Sequence, residues 1–136
     1  MSKQVIGIGT VANDGTGDPL RTAMDKINDN FTELYPVAVH SVTFASPLVL
    51  DFSTYKDFKC ASVTGSATVN LTNTTDGDSG IIELIIDGTG GYTTTLGTMF
   101  TKNSGGGTID ETAAADNVIA WMHIGSDIVY SISQIS

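Results

Sequence analysis

Cysteine is almost absent: Cys60 is the only one in 136 residues. That count excludes an intrachain disulfide, and one thiol cannot by itself build a cysteine-type zinc site. Positive charge is also scarce. Six basic residues stand against 15 acidic ones, a formal net charge of −9, so the phosphate backbone of nucleic acid and an anionic membrane surface would be repelled. Neither is expected as a partner. The lysines and the lone Arg21 are scattered, so neighbours in sequence form no basic patch. Long hydrophobic runs are missing too. No window approaches the ~20 apolar residues of a membrane-spanning helix, and the run in "MSKQVIGIGT" is too short for a signal-peptide core. The expectation is a soluble product made in the cytoplasm. Charged residues make up only 15% of the chain. Thr, Ser, Gly and Asn are plentiful instead, the balance of a β-rich protein with many short turns.

The strongest periodic signal lies near the N-terminus, in "NDGTGDPLRTAMDKINDNFTELY", residues 13–35. Asp18-Pro19 is a helix-start signal: an Asp side chain can accept from unpaired N–H groups, and proline is tolerated at the first helical position. A helix is predicted over 19–35, stopped by Pro36. Within it Leu20, Met24, Ile27, Phe31 and Leu34 recur at intervals of 4, 3, 4 and 3, the narrow seam of a coiled coil rather than a broad globular stripe. The opposite face is polar. Such a helix is marginal alone in water. It packs either on the chain's own β region or on identical helices, and the narrow seam favours the second.

Before this helix, 4–10 reads as a short strand weakened by two glycines. After Pro36 the period changes to two, and strands are predicted at 39–44, 47–52, 58–63, 67–71, 80–87, 92–96, 117–124 and 127–135. Gly125-Ser126 reads as a type II′ hairpin turn, 102–116 as the longest loop, and no internal repeat stands out. The spacing predicts a small β-sandwich or jelly-roll-like domain over 37–136, preceded by a 1–36 segment of strand, turn and oligomerisation or anchoring helix.

Several motifs fail on their own mechanics. Gly7, Gly9 and Ala12 fit a dinucleotide fingerprint, but the helix starts too late and the downstream strands are not joined by helices. Asp14, Thr16 and Asp18 alternate as calcium ligands do, yet proline and aspartate stand where glycine and glutamate would be needed. Asp76 and Asp78 give the same partial pattern, and aspartates in turns usually bond their own backbone. His40, Asp51 and Ser79 follow the order of a serine-protease triad in a chain too short for two β-barrels. No catalytic, cofactor or metal site is therefore expected. Trp121 alternates onto a face with Ile119 and reads mainly as core or interface. Tyr92, beside Gly90-Gly91, is the better exposed aromatic, and these two residues are the candidates for facing a ligand.

The run Asn13 to Asp18, Pro19 to Ala23, Lys26 to Asn28, Asn30-Phe31 and Glu33 to Tyr35 closely resembles a motif near the N-terminus of tailed-bacteriophage virion appendage proteins of the tail-fibre, baseplate and head-fibre kind. Met24 stands where that motif often carries Phe and keeps the seam apolar. The resemblance implies a non-enzymatic virion component, generally a homotrimer, bound to other virion proteins at its N-terminal end. The short chain fits a head fibre, a capsid decoration or a small tail or baseplate protein. The rival expectation is a receptor-binding module for a host-surface glycan. In the structural reading, Leu20, Met24, Ile27, Phe31 and Leu34 form the oligomer interface. Asp14 and Asp18 organise the loop and cap the helix, and Arg21 sets register by pairing with Asp18, Asp25 or a neighbouring copy.

Overall fold

A computed structural model describes residues 4–11, 14–34 and 38–135, apart from the side chains of 32–34 and 102. The chain divides into two compact units, Met1–Pro36 and Val37–Ser136.

The first unit holds an extended segment, 4–11, a turn, and the helix α1 (Leu20–Leu34). The predicted start is right to within a residue, and the predicted stop at Pro36 lies outside the described residues. The segment 4–10 is not a strand. A strand needs a neighbour to take its backbone groups, and here the side chains of Asp14, Asp18, Lys26 and Asn30 take several of them instead.

Among its described residues the second unit is all β, with nine strands: β1 (His40–Val42), β2 (Leu48–Asp51), β3 (Phe58–Val63), β4 (Ala67–Thr72), β5 (Ser79–Ile86), β6 (Thr94–Leu96), β7 (Phe100–Asn103), β8 (Asp116–Ile124) and β9 (Asp127–Ile135). Eight of these match the predicted runs, whereas β7 begins just before and runs into the predicted 102–116 loop. One sheet has the order β1-β3-β5-β8-β9-β7 and the other β2-β4-β6. Successive strands from β1 to β6 thus alternate between sheets. Within each sheet, β1, β3 and β5, and β2, β4 and β6, pair in parallel.

This is a two-layer β domain, but not jelly-roll-like, because a jelly roll is built of antiparallel strands. The chain winds as a short two-sheet coil, and the antiparallel hairpin β8–β9 is inserted between β5 and β7. His40 returns beside Phe58 after 18 residues and Phe58 beside Ile82 after 24. The structural repeat therefore has no fixed period in sequence.

The core lies between the layers. Leu50, Phe52, Cys60, Ile82, Leu84 and Ile119 have no accessible surface, and the aromatic rings of Phe52 and Trp121 meet edge to face at 4.5 Å. Burial alternates along β4 and along most of β8, as expected of strands that bury one face. Desolvation pushes the Cys60 thiol above its ordinary range, in keeping with a core residue rather than a reactive one. In the β8–β9 turn Gly125 has a φ of 64°, the positive first central position that a type II′ turn requires.

Candidate assembly site

The residues around α1 fall on two faces with different duties. One face straps the extended segment down. Asp18 accepts from the Gly7 N–H at 2.7 Å and from Lys26 Nζ at 2.7 Å, while its own N–H donates to the Gly7 carbonyl at 2.8 Å. Lys26 also reaches the Val5 carbonyl at 3.0 Å. One turn further on, the Asn30 amide closes a two-way clamp: Oδ1 accepts the Gln4 N–H at 2.9 Å and Nδ2 donates to the Gln4 carbonyl at 3.0 Å. Asp18, Lys26 and Asn30 belong to one row spaced by multiples of four, so a helix brings them onto one side.

Asp14 organises the turn ahead of the helix. Its carboxylate accepts the N–H groups of Thr10, Val11 and Thr16 and the Thr10 hydroxyl, at 2.6 to 2.9 Å. The Thr16 and Val11 amides, followed by the Thr10 groups, hold its pKa far below the usual carboxylate range. The Lys26 hydrogen bond, then the Gly7 amide, lowers that of Asp18. Both carboxylates are thus held as anions, Asp14 by three N–H groups and a hydroxyl and Asp18 by one N–H and the Lys26 ammonium. Among the described residues, no group of three or more His, Cys, Asp or Glu side chains could hold a metal ion.

The other face is apolar and largely open. Leu20 is 73% exposed, Met24 49% and Phe31 56%. Ile27 is half-buried, and Leu34 lies among the side chains not described. On the strapped segment Val5 and Ile8 are 71% and 91% exposed. Arg21 is exposed and makes no ion pair with a described residue.

The remaining candidates sit in the β unit. Trp121 is only 4% exposed, so its place is in the core and not on a surface that could face a ligand. Tyr92 is half-buried, packs against the core, and donates its hydroxyl to Asp87 at 3.0 Å. His40 and Asp51 line a cavity of about 240 Å³ with Val42, Val49, Thr54, Tyr55 and Phe58, whereas Ser79 is not part of its wall. His40 stacks on Tyr55 at 4.0 Å. Asp76 and Asp78 are structural: Asp76 accepts the Gly125 N–H at 2.7 Å, and Asp78 pairs with Lys56 at 2.9 Å.

The strap was not legible, because Gln4, Lys26 and Asn30 read as ordinary solvated polar residues. The spacing of eight and then four residues from Asp18 through Lys26 to Asn30 was the available signal. The first unit is thus a side-chain-strapped helix with an exposed apolar face, and the second a small two-sheet β domain.

The family described as bacteriophage T4 gp9/10-like protein, N-terminal, matches residues 3–113, most of the chain, and the chain belongs to that family. Over 33 residues it is 64% identical to baseplate wedge protein gp10 of Enterobacteria phage T4. That stretch is 24% of this chain and only 6% of gp10. No solved structure matches. The expected kinship with bacteriophage virion proteins therefore holds at the level of the family.

Proposed function

We propose that this protein is a non-enzymatic structural component of a bacteriophage virion that assembles as a homotrimer through its N-terminal unit and carries its β domain on the outside. The observation that carries the reading is the exposure of Leu20, Met24 and Phe31 on the seam of α1, while its polar side is taken up by the strap. A helix of 15 residues with such a seam gains its stability by packing. Three helices meeting along it would remove these side chains from water. Arg21 sets the register of the copies by reaching a carboxylate of a neighbour, for which a planar bidentate guanidinium is suited.

The surface formed by Val5 and Ile8, beside the strap, docks the trimer on another virion protein. The likeness to a baseplate wedge protein favours a small baseplate component over a head fibre or capsid decoration. The glycan-binding reading gains nothing from Trp121, which is buried, or from Tyr92, whose hydroxyl is engaged.

Sedimentation of the full chain at micromolar concentration tests the proposal. A mass three times 14.2 kDa is expected, falling to the monomer when Leu20 and Phe31 are both changed to Asp. A wild-type chain that stays monomeric would refute it.

A further inference from the structure

The outward face of the six-stranded sheet carries a second uncovered apolar surface. Along β8 the side chains of Ile119 and Trp121 point into the core, so Ala120, Met122 and Ile124 point outward by the alternation of a strand. Ile81 of β5 lies opposite Ala120, which lies opposite Ser131 of β9, and Met122 lies opposite Val129. Ile81 is 48% exposed, Met122 47% and Ile124 53%. These side chains are cross-strand neighbours and form one patch with a shallow hollow of about 310 Å³ over Ala120, Met122 and Val129. Scattered exposed apolar residues are ordinary, but a contiguous group on a flat sheet face marks a contact surface.

We infer that a second copy of this chain covers this face, so that the β domains as well as the helices make contact in the oligomer. The inference rests on the self-association proposed above and extends it to the second unit. Charge selects the occupant. Each copy carries a net charge of −9, so two copies approach with least repulsion where neither presents charge. Charged groups flank the patch instead of entering it: Glu83, two residues along β5 from Ile81, is paired with Lys59 at 2.7 Å, Asp116 starts β8 opposite Ile85, and Asp127 at the hairpin accepts the Thr101 hydroxyl at 2.9 Å. The middle is left neutral, and Ala120 and Ser131 at its centre are small enough for two sheet faces to close. A basic partner would be drawn to the acidic surface elsewhere.

The test is sedimentation velocity of the full chain over a concentration series, with Ala120→Glu and Met122→Glu compared with the helix pair Leu20→Asp and Phe31→Asp. Both glutamates replace exposed side chains, and thermal melts at low concentration check that each variant folds. Ala120→Ser and Met122→Gln serve where a glutamate variant does not. The expected result is association weakened roughly tenfold or more by either glutamate, since a charge would have to be buried in an apolar contact. Wild-type association by both glutamate variants overturns the inference. If only the helix variants dissociate, the face is not an interface between copies and the helix-based proposal stands. If the helix variants still associate and the glutamates do not, the inference stands and that proposal falls. A wild-type monomer throughout refutes both. Glutamate variants that associate normally but fail to enter virions assign the face to a different protein and likewise overturn the second-copy inference.

Discussion

Replacing Asn117 with alanine should be among the most damaging single changes to the β domain. Asn117 has no accessible surface, and its amide holds both backbone groups of Asp110: Oδ1 accepts the Asp110 N–H at 2.7 Å and Nδ2 donates to the Asp110 carbonyl at 2.9 Å. This clamp fixes the otherwise irregular stretch between β7 and β8 onto the sheet. Truncation removes two hydrogen bonds and leaves a partly buried N–H and C=O unpaired. At about 1 kcal/mol for each bond, and somewhat more where a buried group goes unsatisfied, the loss is about 2–4 kcal/mol. For a unit of this size it should lower the melting temperature by roughly 10–20 °C. Leucine should do no better, since it fills the space without serving Asp110. Thermal unfolding by near-ultraviolet circular dichroism measures the shift. Asn103→Ala is the control, because Asn103 accepts the Gly105 and Gly106 amides in an exposed part of the same loop. If Asn117→Ala melts no lower than Asn103→Ala, the clamp is not what holds the loop.

Gly80→Ala should destabilise by about 1–3 kcal/mol, the scale of forced overpacking, because its Cβ would collide with the Lys56 carbonyl and crowd Trp121; urea unfolding unchanged from wild type would contradict this. Asp14 and Asp18 are held below their ordinary pKa. They therefore favour the folded first unit above the unfolded carboxylate value of 3.8, and that help is lost as pH falls through their lowered values. The Gly7 amide should exchange hydrogen faster in Asp18→Asn than in wild type at neutral pH, and equal protection would count against the strap. Asp116 works in the opposite direction: burial and the nearby Glu83 raise its pKa above 3.8, so its contribution is lost as pH rises through the raised value. Asp116→Asn should be more stable than wild type at neutral pH, with the advantage vanishing in acid. A constant difference across pH in denaturation midpoints would refute this assignment. Arg21→Ala should lower the thermal stability of the oligomer, and unchanged assembly and melting would remove Arg21 from the interface.

Eight of the nine strands were legible because periodicity reports which face a residue turns to the core, and the helix because its apolar residues recur along one seam. It does not report which strand lies alongside or in which direction. Leu48 to Asp51 alternates cleanly, yet nothing in those four residues says that β4, 21 residues on from Leu48 to Val69, is its parallel neighbour. Coils of unequal length hide the repeat for the same reason. Phe100 to Asn103 escaped because it is short and runs into Ser-Gly-Gly-Gly. The alternation at 4–10 misled because a strand pattern without a second strand has no sheet to join. At the candidate site the apolar seam was readable, whereas the roles of Gln4, Lys26 and Asn30 were not, because a hydrogen bond between residues 26 apart leaves no mark in a local window.

The alternating coil has a consequence for how such a domain can change in size. Each circuit adds one strand to each layer, and neighbouring strands lie about 4.8 Å apart. Lengthening the chain by one circuit, of 18 to 27 residues here, would therefore raise the stack by a fixed step and leave the existing layers intact. The coil is graduated in this sense: a longer or shorter version would differ in height by whole strand spacings without needing a new core.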